Sequence, residues 1–167
     1  MTHSAPPAVL HGLVRGLHHV AIVVPSIEGA RGTYGTLGLG ATEIEFVADQ
    51  RVNVLVLWAG SQRIELVEPA SPDSPVTKFL EKTGGGLHHL AWKVEDCAAA
   101  VQELLARGVR MIDEVPRKGA HGTTIAFVHP KATGGVLMEL VEEPRAGHHA
   151  GHPAEGFMPT LLTLLES

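Results

Sequence analysis

Two histidines and two glutamates recur at matching places in this 167-residue sequence, and their side chains are the ones best suited to metal chemistry. The segment 17–24 (LHHVAIVV) returns 70 residues later as 87–94 (LHHLAWKV), so His19 corresponds to His89. The segment 64–68 (IELVE) returns 74 residues later as 138–142 (MELVE), so Glu65 corresponds to Glu139. Two matches at nearly equal spacing indicate an internal duplication.

Two imidazoles and two carboxylates form a ligand set that suits a divalent ion such as Co, Mn, Ni, Fe or Zn. The set contains no cysteine, which argues against a closed structural zinc site. Four protein ligands in an octahedral shell leave two positions for water or substrate, as metal-assisted catalysis requires. A glutamate in an apolar strand is costly to bury without a partner, and a cation is the simplest partner. We therefore predict that His19, Glu65, His89 and Glu139 bind one divalent metal ion.

The elements that must position these side chains form a βαβββ module, repeated once. The apolar and β-branched runs predict strands near 17–24, 42–48, 52–58 and 62–68, and again near 87–94, 109–114, 122–129 and 135–142. Helices are predicted over 27–37, capped by Ser26, over 97–107, opened by Glu95-Asp96, and over about 75–83. The prediction is a single domain over 16–143, with module one at 16–69 and module two at 86–143. An N-terminal extension (1–15) precedes it, and a His/Gly/Pro-rich linker with a short helix near 159–166 (144–167 in all) follows.

Alternation along the strands sorts the ligands onto one face, because successive side chains of a strand point to opposite sides. Val20, Ile22 and Val24 share a face with His18 and are predicted to pack under a helix. His19 and Ala21 lie on the opposite face, as do Glu65 and, in the second copy, His89 and Glu139. His18 and His88 are interpreted as polar core residues or as residues that support the ligands. Two modules meeting face to face would bring the four ligands together.

The composition excludes several classes of protein. The formal net charge of -5 argues against nucleic acid or an anionic membrane as the main partner. No apolar run approaches the ~20 residues that cross a bilayer, and no secretion signal is evident at the N-terminus. Cys97 is the single cysteine, which fits a reducing compartment, and we expect a cytoplasmic protein.

Beyond these patterns, the sequence resembles the vicinal-oxygen-chelate (glyoxalase-like) superfamily, and within it the methylmalonyl-CoA epimerase group. The resemblance covers nearly all of 16–143 and rests on four segments: LHHVAIVV (17–24), RIELVEPASPDSPVTKFLEKTGGGLHHLAWKV (63–94), GVRMIDEVPRKGAHG (108–122) and IAFVHPKATGGVLMELVE (125–142). It implies an α+β fold in which the two modules form a curved eight-stranded mixed sheet, within a homodimer. It also implies metal ligation by the same four residues.

The implied reaction is the interconversion of (2R)- and (2S)-methylmalonyl-CoA through a metal-stabilised enolate. The catalytic base of the group lies in a Glu-Gln-Gly-Val stretch, which aligns here with Asp49-Gln50-Arg51-Val52. Asp49 is therefore the predicted base, shorter by one methylene and followed two residues later by Arg51 in place of glycine. Glu139 is the candidate for the second acid–base group, and Lys131 for binding a carboxylate or phosphate of the acyl-CoA.

Other functions on the same fold stay open at this point. A glyoxalase I-type lactoylglutathione lyase moves a proton next to a carbonyl on a similar metal site, and an epimerase of another malonyl-type acyl-CoA is equally compatible. An extradiol dioxygenase uses two histidines and one glutamate on Fe(II), so the fourth ligand, Glu65, argues against it. A non-catalytic small-molecule-binding or resistance protein would not need four metal ligands. A purely structural protein would explain neither duplicated residue.

Overall fold

The structure is a computed structural model, and it describes residues 12–145. Within this range the chain forms nine strands: β1 (Gly16–Val23), β2 (Gly40–Ala41), β3 (Glu45–Val47), β4 (Val52–Ala59), β5 (Gln62–Pro69), β6 (Gly86–Lys93), β7 (Arg117–Lys118), β8 (Thr124–Val128) and β9 (Met138–Glu142). Three α-helices accompany them: α1 (Ile27–Gly35), α2 (Thr77–Thr83) and α3 (Cys97–Ala106). Short 3-10 turns cover Ala120–Gly122 and Pro130–Ala132. The predicted tail helix near 159–166 and most of the two terminal segments lie outside the described residues.

All nine strands belong to one mixed, curved sheet in the order β2-β4-β5-β1-β6-β9-β8-β7, with β3 paired to β4. Each module contributes one parallel pair, β1 with β5 and β6 with β9. The modules meet where β1 and β6 run antiparallel at the centre of the sheet. The predicted fold class, two βαβββ modules forming a curved mixed sheet, is confirmed.

Helices α1 and α3 begin where the sequence indicates. The Ser26 hydroxyl accepts a hydrogen bond from the Gly29 N–H at 3.2 Å, and the Asp96 carboxylate accepts one from Ala99 N–H at 2.8 Å. Each side chain thereby satisfies one of the free N–H groups of a helix start. Cys97, the first residue of α3, is fully buried, and burial raises the pKa of its thiol to about 12. Cys97 is therefore a packing residue of the core around α3.

The buried side chains divide between the two faces of the sheet. On the helix side, one cluster gathers Val24, Ile27, Leu55, Leu57 and Leu66 around α1, and another gathers Val94, Cys97, Val101, Met111, Ala126 and Leu140 around α3. On the opposite side lie Ala21, Val23, Val47, Val52, Val54 and Val67 from module one, and Ala91, Ile125, Phe127 and Val141 from module two. The helix-free face is thus apolar around the predicted ligands.

Two predicted strands differ from the structure. The strand expected over 42–48 is reduced to β3, and β2 precedes the predicted range. Between the two strands, the Thr42 hydroxyl accepts from the Val56 N–H at 3.3 Å in place of a backbone carbonyl. The strand expected over 109–114 is reduced to a single bridge between Met111 and Val128, and the edge strand β7 lies further along the chain. Within 109–114, the Asp113 carboxylate accepts from the Phe127 N–H at 2.8 Å, and this bond interrupts the backbone pairing of the segment with β8.

Among residues 12–145, no helix is long and apolar enough to cross a membrane.

Candidate metal centre

The candidate ligands lie in two rows across the middle of the sheet. In one row, Ala21 of β1 pairs with Glu65 of β5 on one side and with His89 of β6 on the other. In the second row, Ala91 of β6 pairs with His19 of β1 and with Glu139 of β9. Each row therefore holds a histidine and a glutamate on either side of a fully buried alanine. Because neighbouring strands are ~4.8 Å apart, the small alanine side chain leaves the space between the two ligand side chains free.

The functional atoms of these side chains converge. His19 Nε2 lies 3.2 Å from His89 Nε2, 3.3 Å from a Glu139 carboxylate oxygen and 3.5 Å from a Glu65 carboxylate oxygen. His89 Nε2 lies 3.4 Å from the same Glu139 oxygen. His19, His89 and Glu139 form a cluster in which one ligand atom from each lies within 4.8 Å of the others. The structure thus brings the four predicted ligands to one place, with three of them in a tight triad.

The chemistry of this cluster fits a divalent cation. The Glu139 oxygen that faces both imidazoles is buried, and within the described part of the chain it has no hydrogen-bond donor. An unpaired buried carboxylate oxygen is costly, and a cation between it and the two Nε2 lone pairs would compensate it. His19, Glu65 and Glu139 are each less than 7% exposed, which suits ligands but not solvated surface groups. The role of each as a ligand, and the identity of the metal, stay predictions.

Paired β-bulges place the preceding histidines beside the ligands. Leu17 pairs with Trp92 and His19 with Ala91, so His18 is an extra residue in β1. Ala21 pairs with His89 and Ile22 with Leu87, so His88 is an extra residue in β6. A bulge turns the extra side chain out of strict alternation. The prediction that His18 shares the helix side with Val20 and Ile22 was therefore wrong: the rings of His18 and His88 both line the same cavity as the ligands.

Each bulged histidine contacts the ligand that follows it. His18 Nδ1 lies 2.8 Å from His19 Nδ1, and His88 Nδ1 lies 2.9 Å from His89 Nδ1. This is the arrangement in which a residue beside the metal site holds a ligand imidazole in one tautomer and orientation. The interpretation of the two residues as supports for the ligands agrees with this geometry.

Burial controls the protonation of the site. Burial, together with the neighbouring imidazoles, holds the pKa of His19 well below its ordinary value. Burial likewise lowers the pKa of His18 and of His88 to about 4, so both rings are neutral at neutral pH. Burial and the nearby Glu139 raise the pKa of Glu65 to about 8. Neutral imidazoles are the form that ligates metal, and a cation would favour the ionised form of Glu65.

The cavity above the cluster has a polar floor and apolar walls. Its floor carries the four histidines of the two pairs with Glu65 and Glu139, and its walls are lined by Val47, Val52, Val54, Val67, Val76, Ala120, Ile125, Phe127 and Val141. Gln50, Arg63 and Thr123 add polar groups to the lining. The His89 ring meets the Phe127 ring edge-to-face, with centroids 5.2 Å apart, which helps to fix the His89 orientation.

Two predicted substrate-handling residues lie away from this lining. Asp49 is exposed in the turn between β3 and β4, and its neighbour Gln50 is the residue of that turn that lines the cavity. Lys131 is exposed in the 3-10 turn before β9, where its N–H donates to His129 Nδ1. Their roles in the reaction stay predictions.

Sequence reasoning missed Arg63 as a residue of the site. Its Nη1 lies 3.0 Å from His18 Nε2, and its guanidinium stands over the Trp58 ring, 5.1 Å from the centroid. The signal was available, since Arg63 lies two residues before Glu65 in β5 and therefore shares its face.

Comparison with known proteins supports the same assignment. The profile of the Glyoxalase/Bleomycin resistance protein/Dioxygenase superfamily matches residues 18–127. Among curated relatives, the ethylmalonyl-CoA/methylmalonyl-CoA epimerase of Cereibacter sphaeroides is 41% identical over 77% of this chain and 98% of its own.

Solved structures similar to this chain support the same family. The crystal structure of methylmalonyl-CoA epimerase from Mycobacterium tuberculosis is 36% identical, with a TM-score of 0.76, over 85% of this chain and 94% of its own. A methylmalonyl-CoA epimerase in complex with methylmalonyl-CoA and NH4+ is 32% identical, with a TM-score of 0.73, over 80% of this chain and 97% of its own. The predicted resemblance is confirmed: the chain belongs to the methylmalonyl-CoA epimerase family of the Glyoxalase/Bleomycin resistance protein/Dioxygenase superfamily.

Proposed function

We propose that this protein interconverts the (2R) and (2S) epimers of methylmalonyl-CoA by removing and returning the proton at C2. The observation that carries the proposal is the convergence of two imidazole Nε2 atoms on a buried Glu139 oxygen that lacks a hydrogen-bond donor among the described residues. Such a site can hold a cation, and the apolar walls above it can exclude water from a reacting acyl group.

The C2 proton lies between a thioester and a carboxylate and is only weakly acidic, so its removal needs stabilisation of the negative charge that develops. A divalent ion held by His19, Glu65, His89 and Glu139 would supply this stabilisation as a Lewis acid. The protein's part is to fix the ligand geometry and to keep the site dry. The paired bulges and the buried alanines do the first, and the valine-rich walls do the second.

We assign Asp49 as one acid–base group, following the family alignment. Two hydrogen bonds fix the turn that carries Asp49. The Ser74 hydroxyl donates to Gln50 O at 3.2 Å, and Arg51 Nη2 donates to Asp73 O at 2.7 Å. Asp49 is exposed, so a substrate must reach up to this turn for the carboxylate to meet C2. Glu139 is the proposed second group, on the opposite side of the bound acyl group, and Lys131 is proposed to contact an anionic part of the acyl-CoA.

Deuterium incorporation at C2 tests the proposal directly. Metal-loaded protein incubated with methylmalonyl-CoA in D2O should exchange the C2 proton far above the uncatalysed rate. Exchange at the background rate would refute the epimerase.

Asp49→Asn tests the base. It should slow exchange by roughly 100-fold or more, because a positioned acid–base group contributes about that much. Metal content should stay unchanged. Glu114→Gln, at an exposed position that does not line the cavity, is the matched control. Near-normal exchange by the Asn variant would remove Asp49 from the mechanism.

A second acyl group is favoured by one comparison. The Cereibacter sphaeroides relative bears a name that includes ethylmalonyl-CoA. The same exchange assay with ethylmalonyl-CoA would show whether the cavity of this protein accepts the extra methylene. A parallel assay with methylglyoxal and glutathione should show no turnover, which separates the proposal from the glyoxalase I alternative.

We also propose that the active form is a homodimer in the cytoplasm. The single cysteine fits a reducing compartment. Light scattering of the full chain at micromolar concentration would give its mass in solution, and a monomer would contradict the dimer.

A further inference from the structure

His18 faces two partners with opposite hydrogen-bonding requirements. Its Nε2 lies 3.0 Å from Arg63 Nη1 and 3.3 Å from a carboxylate oxygen of Glu143. The guanidinium can only donate, and an ionised carboxylate can only accept. A neutral imidazole carries one proton, on Nδ1 or on Nε2. His18 can therefore satisfy Arg63 or Glu143 through Nε2, but not both at once.

The contact with His19 links this choice to the ligands. His18 Nδ1 and His19 Nδ1 lie 2.8 Å apart, so one of the two nitrogens must donate and the other accept. A metal bound at His19 Nε2 uses the lone pair of that nitrogen, and the proton of neutral His19 then lies on Nδ1. His19 Nδ1 becomes the donor and His18 Nδ1 the acceptor. The proton of His18 then lies on Nε2, where Glu143 can accept it and Arg63 cannot.

We propose that His18 is a positioning residue that couples metal ligation to substrate recognition, because its metal-selected tautomer donates to Glu143 and releases Arg63 to bind the free carboxylate of a malonyl-type acyl-CoA. The substrate part of this inference rests on the proposed function. The tautomer part rests on the three distances from His18 to Arg63, Glu143 and His19.

The position of Arg63 suits a carboxylate. It is partly buried, it lines the cavity beside Glu65, and its guanidinium is held over the Trp58 ring. Among the described residues that line the cavity, it is the only lysine or arginine. With the charges of Glu65 and Glu139 directed at a dication, Arg63 supplies the positive charge that a second anionic group needs. Its planar fork can bind a carboxylate through two hydrogen bonds.

An ion pair holds the Glu143 carboxylate in place beside His18. Its second carboxylate oxygen forms an ion pair with Lys93 at the end of β6. The carboxylate is therefore fixed on one side and presents the other oxygen to His18.

Nitrogen NMR of histidine tests the tautomer directly. In protein with 15N-labelled histidine, the Nδ1 and Nε2 shifts of His18 distinguish the two tautomers. Stripped protein and protein loaded with Zn2+, which is diamagnetic, are compared. We expect the Nε2–H form of His18 to become dominant on loading. An unchanged tautomer population would overturn the inference.

Two His18 variants separate positioning from packing. In His18→Asn, the amide oxygen can occupy the place of Nδ1 and accept from His19, whereas His18→Leu offers no acceptor. We expect Zn2+ affinity, measured against a competing chelator, to fall roughly 10- to 100-fold in the Leu variant, the usual effect of removing such a partner. The Asn variant should stay within a few-fold of the unchanged protein. Equal loss in both would show that His18 acts through packing alone.

Arg63→Gln tests the carboxylate site. Binding of malonyl-CoA and of propionyl-CoA, which lacks the free carboxylate, is measured by calorimetry on Zn2+-loaded protein. The variant should lose at least tenfold in affinity for malonyl-CoA and little for propionyl-CoA. Arg117→Gln is the matched control, because Arg117 also stands over an aromatic ring, Phe127, but does not line the cavity. Equal loss for both ligands, or in both variants, would overturn the assignment of Arg63.

None of these measurements needs turnover. If C2 exchange fails while the His18 tautomer changes on metal loading, the proposed function is refuted and the coupling through His18 is supported. If C2 exchange proceeds while the His18 tautomer does not change, only the coupling through His18 is refuted.

Discussion

Module one and module two place one histidine and one glutamate by the same strand geometry, but the surroundings of the bulged histidines differ. In module one, His18 meets the guanidinium of Arg63 and the carboxylate of Glu143. In module two, the His88 ring packs edge-to-face on Phe79, with centroids 4.8 Å apart. The duplication thus preserved the backbone device that aims the ligands, while only module one acquired charged partners for the residue behind its ligand, among the residues described.

The turns before β4 and β8 show a second contrast between the modules. Arg51, before β4, and His121, before β8, are the two non-glycine residues with positive φ in the described range, at 51° and 55°. Arg51 is paired with Asp73 of the linker between the modules. His121 Nδ1 lies 2.6 Å from a carboxylate oxygen of Glu45 in β3, so its turn is joined to the other module. In both turns a residue with positive φ contacts a carboxylate, but only the second contact joins the two modules.

The largest effect is expected from filling the space beneath the ligands. Ala91→Leu should abolish metal binding, since its side chain would enter the gap between His19 and Glu139, and should lower the free energy of unfolding by ~1–3 kcal/mol through overpacking. Ala21→Leu should act in the same way on Glu65 and His89. Ala126→Leu, in the helix-side core, should cost similar stability and leave metal content intact. Metal analysis with urea unfolding compares the three. Normal metal content in the Ala91 variant would mean that the rows do not define the site.

The two glutamates should contribute unequally to the affinity for the metal. Glu139→Gln should weaken metal binding roughly 100-fold or more, since loss of an outer partner already costs roughly 10- to 100-fold. Glu139 contacts both imidazoles, whereas Glu65 contacts His19 alone at 3.5 Å. Glu65→Gln should weaken binding less, within about tenfold, because Glu65 contacts one imidazole where Glu139 contacts two. Chelator competition with Co2+ measures both variants. A larger loss in the Glu65 variant would reverse the ranking of the two modules.

Much of this arrangement could be predicted from the sequence, and the failures have physical causes. The duplicated segments and strict alternation placed Glu65 and Glu139 on the cavity face correctly, because β5 and β9 pair in regular register with their neighbours. Alternation failed at His18 and His88, since a bulge depends on the partner strand and leaves no mark in the local pattern. Thr42 and Asp113 shortened two predicted strands through side-chain bonds to Val56 and Phe127, each 14 residues later in the chain. Such long-range contacts are outside the reach of local periodicity.

The burial of Glu65 and His19 also predicts a pH dependence of stability in metal-stripped protein. The pKa of Glu65 is raised from 4.5 to about 8 by burial, so the folded state retains a proton that the unfolded state has lost. The free energy of unfolding should therefore fall as pH rises through this window. The lowered pKa of His19 acts only below its unfolded value of ~6.5, where it makes stability rise with pH. Between pH 6.5 and 8 we expect a decline of ~1 kcal/mol or more, measured by urea unfolding. Glu65→Gln should remove it; a decline that persists in that variant would have another source.

The smallest effect concerns the strained turn of module one. A left-handed conformation costs a non-glycine residue about 1–2 kcal/mol, and Arg51 adopts it while pairing with Asp73 across an exposed gap. Exposed ion pairs contribute about 0–1 kcal/mol, so Arg51→Gly exchanges two terms of similar size. We expect the free energy of unfolding to change by less than ~1 kcal/mol, because glycine also costs roughly 0.5–1 kcal/mol in chain entropy. Arg51→Ala loses the ion pair and keeps the strain, and it should be the less stable of the two. Comparing the Ala and Gly variants at position 121 shows whether the strain is the same in module two, where both variants lose the side-chain contact with Glu45 and keep the hydrogen bonds from the backbone N–H of residue 121 to Glu45. If alanine proves as stable as glycine at position 51, the positive φ carries no measurable strain there, and the two turns differ in more than their partners.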